Sequence, residues 1–286
     1  RATGKVFVYR DPAGIGGCTA GARRARLAGG CCGGGGARAR SLQALVIRFD
    51  TFASSPRRHE DSRKEQALSH PLFEKHRATL DRALAAIADR GYWTPYPESA
   101  SPKVYGEGAA ESGKAAFEAL LGKPFPITLP GTIGTVGGER SPYGVDLGVT
   151  YPKVDLDKLF AGIGHAQGHW RAAGPEAWVG VCIEALARIN KSSFEIANAV
   201  MHTTGQAFMM AFQAGGPHAQ DRGLEAVTYA WDQMRRVPAK SLWEKPQGKG
   251  DPLRMEKRFR VVPRGIGLVI GCCTFPTWNG YPGLFA

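Results

Sequence analysis

The segment from Val261 to Asn279 is an apolar run that passes into a cluster of turn-forming residues. Residues 266–270 are Ile, Gly, Leu, Val and Ile, a composition typical of a buried strand, and Gly, Pro and Asn recur from position 271 onward. In open α/β sheets, ligands bind in the crevice at the carboxyl ends of the strands. The pattern therefore predicts an α/β fold with a ligand site in this loop. Since the sequence ends at Ala286, we expect no helix and no second parallel strand after this loop.

The first 65 residues differ in composition from the rest. Eleven Gly occur in the first forty positions, and residues 1–65 hold 13 Lys and Arg against 5 Asp and Glu. The formal net charge of the whole chain is +12. Most of this positive charge lies in residues 1–65, and the charges of the other residues are nearly balanced. Its apolar surface is too small to offset the entropy of ordering it, so the sequence predicts a tail that is disordered or mistranslated. A tail rich in Arg and Gly could bind RNA, but it lacks interleaved aromatic residues, and a nucleic-acid function is the weaker interpretation.

The chain carries no sign of a membrane or secretory protein. No stretch approaches the roughly 18 to 20 apolar residues that span a bilayer, and no signal peptide opens the sequence. We therefore expect a cytoplasmic protein without a membrane segment. Six Cys include the adjacent pairs 31–32 and 272–273 but show no C-x₂-C spacing of a zinc site, and reduced thiols are expected.

The region 66–155 is predicted to combine helices with loops. Ser69 can cap a helix whose apolar residues recur at helical spacing and which Gly91 ends. Residues 111–121 predict a second, short helix. The Pro and Gly residues that follow predict an irregular stretch through Tyr151.

The region 156–286 is predicted to begin with helices. Apolar positions recur at helical spacing, with a helix start at Pro175 and a break at Gly205. From Leu253 to Val261 apolar and charged residues alternate, with Lys257 as the one exception on the apolar side, which predicts a half-buried strand.

Two further patterns match a phosphate or metal site only in part. Residues 108–114 fit the spacing G-x₄-G-K, but Ala115 replaces the Ser or Thr that would bind Mg²⁺. His165 and His169 fall on one helix face, yet the Glu of H-E-x-x-H is missing and nearby Gly residues weaken the helix. We interpret the first pattern as a surface helix broken by Gly, and we expect no metal site at the second.

Four segments of the sequence resemble one known family. They are residues 70–77 (HPLFEKHR), 91–93 (GYW), 202–210 (HTTGQAFMM) and 274–282 (TFPTWNGYP). Together they resemble the aldehyde dehydrogenase superfamily, and most closely its phenylacetate-degradation branch, called PaaN. The resemblance covers Ser69 to Ala286. It implies a truncated aldehyde-dehydrogenase-like α/β fold, formed by the N-terminal helical part and the start of the nucleotide-binding domain.

The resemblance implies NAD or NADP as the cofactor and an aldehyde as the substrate. Residues 263–270 resemble the strand that enters the nucleotide domain of this family, and the loop after that strand lies along the cofactor. The cofactor-binding candidates are therefore Ile270, Gly271, Cys272, Cys273 and Thr274. In the family an Asn before Phe-Pro donates a hydrogen bond to the oxyanion that forms on the aldehyde oxygen. Thr274 stands at that position here, and Asn279 is the second oxyanion candidate.

The family's remaining functional residues are not matched in this sequence. Its cofactor-binding Lys, general-base Glu and nucleophilic Cys are expected beyond Ala286, and neither Cys272 nor Cys273 matches the nucleophile's motif. The resemblance implies the N-terminal portion of a homo-oligomeric enzyme that oxidises an aldehyde in phenylacetate breakdown, inactive as this fragment. The alternative is a non-catalytic remnant that acts in binding or oligomerisation, because strand 253–261 would expose an unpaired edge.

Overall fold

The computed structural model describes residues 7–9, 43–45, 70–263 and 265–286. Two short strands, β1 (Phe7–Tyr9) and β2 (Gln43–Leu45), pair antiparallel. The other positions of the predicted tail, like the predicted cap Ser69, lie outside the described residues. The predictions for 1–65 and for this cap therefore stay predictions.

The rest of the described chain contains helices and two further strand pairs. In chain order these elements are α1 (Pro71–Asp89), α2 (Pro102–Tyr105), α3 (Ala109–Glu118), β3 (Thr132–Gly137), β4 (Thr150–Val154), α4 (Leu156–Lys191), α5 (Ser193–Thr204), α6 (Phe208–Gly215), α7 (Pro217–Met234), β5 (Lys240–Gln247), β6 (Gly250–Arg258) and α8 (Pro276–Phe285).

Helix α1 follows the predicted pattern except at its end. Pro71 occupies the first turn, where its fixed φ suits a helix and its missing N–H costs nothing. The left-handed residue after the helix is Arg90, with φ 53°, and not the predicted Gly91. The N–H of Gly91 instead donates to the carbonyl oxygen of Ala86 at 2.9 Å, so the glycine follows the turn that ends the helix.

The predicted irregular stretch through Tyr151 is wrong in part, because it contains β3 and the start of β4. These strands pair antiparallel, with a register shift between Thr132 and Gly134. A Cβ on Gly137 would lie 2.4 Å from the carbonyl oxygen of Val149. Gly137 therefore does not interrupt the strand, and its missing side chain permits the close approach of β3 and β4.

Helix α4 is 36 residues long and is interrupted at the predicted place. Gly174 has non-helical angles, with φ 80° and ψ 175°, and Pro175 starts the second half. Pro175 is therefore confirmed as a helix start. Gly205 is likewise confirmed as the break between α5 and α6, since it adopts the left-handed conformation with φ 80°.

The largest core cluster lies between α1, α4 and α7. Its buried members come from all three helices and from the loop after α1, and they are Phe73, Leu80, Ala83, Tyr96, Val179, Ile183, Leu186, Leu224 and Val227. Smaller clusters form around Phe117 and around Phe212. No described helix has the length and apolar character needed to cross a membrane.

A buried carboxylate also joins α1 to α4. Glu184 accepts from Lys75 Nζ and His76 Nε2, both at 2.7 Å, and from Arg188 Nε at 2.8 Å. Hydrogen bonds from Lys75, Arg188 and His76 hold the pKa of Glu184 well below its usual range.

The predicted half-buried strand is exposed instead. Strand β6 pairs antiparallel with β5, and every residue of both strands is exposed. The alternation does set one apolar face, where Trp243 lies opposite Met255. Since no layer of the described chain covers that face, the alternation predicted the strand but not its burial.

Two expectations for the last segment are wrong. Within the described chain, residues 265–275 form no strand, and only Gly267 and Ile270 make single bridge contacts. A strand needs a neighbour that supplies a ladder of hydrogen bonds, and no described strand pairs with this segment. A helix, α8, does follow the loop. Pro276 suits the first turn of a helix, so the Pro and Gly of this cluster do not prevent it.

Candidate functional site

The candidate site is the loop 271–275 together with α8, which begins directly after it. Helix α8 is fixed to the main core by Tyr281 and Phe285. A Cβ on Gly223 of α7 would lie 3.0 Å from Cδ2 of Phe285, so the two helices approach closely. Burial raises the pKa of Tyr281 to about 12. Helix α8 is therefore packed against the main core directly beside the loop.

Two glycines allow the chain before the loop to lie against α8. A Cβ on Gly271 would lie 3.0 Å from the carbonyl oxygen of Pro276. A Cβ on Gly283 would lie 2.9 Å from Cγ2 of Val269. Segment 269–271 therefore packs along the helix, and both positions need a residue without a side chain.

Two side chains connect this corner to α5 and α6. The Gln206 side chain donates through Nε2 to the carbonyl oxygen of Thr274. Thr277 donates through Oγ1 to the carbonyl oxygen of Gly215 at 2.9 Å. Sequence reasoning assigned no role to Gln206 or Thr277. The signal available for Gln206 was its place directly after the helix-ending Gly205.

Two N–H donors converge on the sulfur of Cys272. The backbone N of Phe275 lies 3.3 Å from Cys272 Sγ, and Asn279 Nδ2 lies 3.1 Å from it. Asn279 Nδ2 also donates to the carbonyl oxygen of Phe275 at 3.2 Å. Both hydrogens of the Asn279 amide are therefore directed at groups of the loop itself.

The structure brings the predicted site residues to one exposed corner. Gly271 is half-buried, and the other candidates, Ile270, Cys272, Cys273, Thr274 and Asn279, are exposed. The Thr274 hydroxyl has no hydrogen bond within the part of the chain that the structure describes. Thr274 and Asn279 thus differ, because only Asn279 has its donors engaged.

The two partial motifs lie on helices α3 and α4. Residues 108–114 form the start of α3, where Lys114 pairs with Glu118 at 3.6 Å. A Cβ on Gly113 would lie 2.3 Å from Cβ of Phe194, so this glycine permits close packing against α5. His165 and His169 are exposed on α4. No cluster of His, Cys, Asp and Glu suited to a metal ion occurs among the described residues.

The chain is similar to a crystal structure of an NAD-dependent aldehyde dehydrogenase from Burkholderia multivorans. The two share 64% sequence identity with a TM-score of 0.74, and the match covers 76% of this chain and 39% of that chain. This chain therefore spans well under half the length of that relative. No protein-family model and no curated protein matches the chain. The prediction of an aldehyde-dehydrogenase-like fold is confirmed, and the similarity supports membership of the aldehyde dehydrogenase superfamily.

Proposed function

We propose that this chain is the N-terminal portion of an NAD-dependent aldehyde dehydrogenase, which oxidises an aldehyde to an acid. The observation that carries the proposal is the 64% identity, with a TM-score of 0.74, to a protein described as an NAD-dependent aldehyde dehydrogenase. Since 39% of that protein is covered, the activity is assigned to a longer chain. The 286 residues alone are expected to be inactive, because neither Cys272 nor Cys273 matches the nucleophile's motif.

The substrate class rests on the sequence segments that resemble the PaaN branch. Residues 202–210 and 274–282 support an aldehyde that arises in phenylacetate breakdown. We favour NAD over NADP, because the similar structure is described as NAD-dependent. We also place the protein in the cytoplasm, and fractionation of cells that produce it tests this.

The exposed side chains of the loop are the ones that would contact the cofactor. Ile270 and residues 272–274 expose their side chains there, while Gly271 keeps the backbone close to α8. When bound, NAD supplies the acceptor for the hydride that leaves the substrate carbon. The proposed part of this loop is to contact and orient that cofactor.

Thr274 is the stronger oxyanion candidate of the two. Its hydroxyl is exposed and can donate one hydrogen bond to the oxygen on which charge develops. The Asn279 amide is directed at Cys272 Sγ and at the carbonyl oxygen of Phe275. We therefore assign Thr274 as the donor and Asn279 as the residue that positions the loop.

The exposed hairpin β5–β6 supports a homo-oligomer. One face carries Trp243, Leu253 and Met255, which are 37%, 48% and 49% exposed, together with Lys245 and Lys257. Within the described residues each of these strands is paired on one edge only, and an open edge favours pairing with another chain. Light scattering of the full-length protein is expected to find one discrete oligomer, and Met255→Lys is expected to dissociate it. Polydisperse aggregate would contradict this part of the proposal.

The alternative function, a non-catalytic binding or oligomerisation piece, rests on the same hairpin. Sequencing the coding DNA across both ends separates the two functions. A reading frame that continues past Ala286 into segments with a Lys, a Glu and a Cys supports the enzyme. A stop codon directly after Ala286 supports the alternative.

The assay uses the full product of that reading frame. We expect aldehyde-dependent reduction of NAD, followed by the absorbance of reduced nicotinamide. Thr274→Val is expected to lower kcat by about 10²-fold or more with little change in KM, as the loss of one oxyanion donor does. Thr135→Val, at an exposed position on β3, is the matched control and keeps full activity. A product that reduces neither NAD nor NADP with any aldehyde contradicts the proposal.

A further inference from the structure

Cys272 and Cys273 form a pair of adjacent, exposed thiols in the loop before α8. The third cysteine among the described residues, Cys182, is different. It packs beside the main core, and burial raises its pKa to about 11. Reactivity of a thiol follows its access to solvent and its fraction of thiolate, so the pair and Cys182 are expected to differ strongly.

Two N–H donors and the start of a helix lie around the sulfur of Cys272. The backbone N–H of Phe275 and the side-chain N–H of Asn279 both point to its sulfur, at 3.3 and 3.1 Å. Phe275 is the residue that precedes α8, so the sulfur also lies near the positive end of a helix. Cys273 is the next residue in the chain and is exposed as well, so its thiol is the nearest in sequence to the sulfur of Cys272.

We propose that Cys272 and Cys273 form a reversible dithiol–disulfide switch whose oxidant is a low-molecular-weight disulfide such as oxidised glutathione. The thiolate of Cys272 attacks one sulfur of the oxidant, forms a mixed disulfide and releases the first thiol. The thiolate of Cys273 then attacks the Cys272 sulfur and releases the second thiol. The protein loses two electrons and two protons, and the oxidant is reduced to two thiols.

The chemistry of adjacent cysteines makes such a disulfide easy to reduce. Consecutive Cα atoms lie about 3.8 Å apart across a trans peptide, less than the roughly 4.4 to 6.8 Å of ordinary disulfides. A strained disulfide has a more oxidising potential, which is typical of regulatory bonds. Oxidation also weakens Cys272 Sγ as an acceptor for Asn279, and so loosens the loop that carries Thr274.

The switch is tested by mass spectrometry of tryptic peptides from the 286-residue chain under non-reducing conditions. Residues 265–286 hold no Lys or Arg, so both cysteines fall in one peptide, and Cys182 falls in the peptide 172–188. After oxidised glutathione and alkylation, we expect peptide 265–286 to lose two hydrogens and to resist the alkylating agent. Reduction with dithiothreitol is expected to reverse this, while Cys182 stays open to alkylation once the chain is denatured.

Two variants assign the roles of the thiols. In Cys273→Ser the reaction is expected to stop at the mixed disulfide between Cys272 and glutathione. Cys272→Ser is expected to react with oxidised glutathione several-fold more slowly than the unmodified sequence. The adjacent pair Cys31–Cys32 lies outside the described residues and falls in peptide 27–38, so it does not confuse the result.

The proposal is overturned if, in the folded chain, the cysteines of peptide 265–286 react with oxidised glutathione no faster than Cys182 does. It is also overturned if both thiols of the pair keep glutathione without forming a disulfide, or if Cys272→Ser reacts as fast as the unmodified sequence. Because the readout is a peptide mass and not an activity, each of these failures leaves the dehydrogenase proposal standing.

Discussion

The side-chain amide of Asn279 donates a hydrogen bond to Sγ of Cys272 at 3.1 Å, and this bond joins the first turn of α8 to the loop before it. The same amide donates to the carbonyl oxygen of Phe275. Asn279 thus closes a small ring of contacts around the start of the helix. The two residues lie seven positions apart in the sequence, and only Asn279 belongs to the helix, so the bond is not a contact within one helix.

Removal of this contact is expected to weaken the loop. Asn279→Leu should lower the free energy of unfolding by about 1 to 2 kcal/mol, since two hydrogen bonds of ordinary net strength are lost. A double-mutant cycle with Cys272→Ala should give a coupling energy of at least about 0.5 kcal/mol. Urea denaturation followed by circular dichroism measures all four proteins.

The matched cycle pairs Asn279→Leu with Cys273→Ala. Cys273 has the same side chain at the next position, but no contact to Asn279 is present among the described residues. Its coupling energy should be close to zero. Equal coupling for both cysteines would show that the bond to Cys272 contributes nothing.

The contact between α8 and α6 gives a second prediction. Thr277→Val keeps the shape of the side chain but removes the hydroxyl that donates to the carbonyl oxygen of Gly215 at 2.9 Å. We expect a loss of about 1 kcal/mol in the free energy of unfolding. Thr274→Val, whose hydroxyl is exposed, is the control and should change stability by less than about 0.5 kcal/mol. Equal effects of the two substitutions on the urea midpoint would refute this role of Thr277.

Local signals allowed much of the helical part of the fold to be predicted. The breaks at Pro175 and Gly205 were correct because proline and a left-handed glycine act on the backbone of their own neighbours. Strands β3 and β4 were missed because their pairing depends on close approach at Gly137. In the sequence alone, a glycine at that position indicates a turn. Alternation in β6 predicted a strand correctly, but burial depends on what covers it.

The site could be predicted only as a segment of the chain. The resemblance placed the candidates Thr274 and Asn279 in one loop, and the structure brings them to one corner. It did not indicate that Gln206 binds the Thr274 carbonyl, because these residues lie 68 positions apart. Contacts of this kind arise from how helices pack, which no local pattern encodes.

Two glycines of α4 should respond in opposite ways to alanine. A Cβ on Gly164 meets no atom within 4 Å, so Gly164→Ala should stabilise the protein by about 0.5 to 1 kcal/mol through helix propensity. A Cβ on the buried Gly180 would lie 2.5 Å from the backbone N of Phe73. Gly180→Ala should therefore destabilise by about 1 to 3 kcal/mol, because α1 must shift. Thermal denaturation measures both, and a change of the same sign in both would contradict the packing of α1 on α4.

The carboxyl group of Asp221 on α7 should make stability fall as pH rises. It accepts a hydrogen bond from the Thr94 hydroxyl, and burial raises its pKa to about 6 from 3.8, although Thr94 and His218 act in the opposite direction. Between these two pH values the folded protein binds more protons at this group than the unfolded chain does. The contribution of neutral Asp221 is thus complete below pH 3.8 and is lost as pH rises through about 6.

Asp221→Asn tests this effect, since an amide oxygen can still accept from Thr94 but cannot ionise. Relative to the variant, the unmodified protein should lose about 1 to 2 kcal/mol of stability across that window, which is less than the full pKa shift corresponds to because solvent screens this partly exposed group. The free energy of unfolding from urea titrations at a series of pH values gives both curves. Their difference should be flat above about pH 7, where Asp221 is ionised in both the folded and the unfolded protein. Curves that run parallel from pH 3.8 to about 6 would mean that Asp221 ionises in the folded protein as readily as in the unfolded chain.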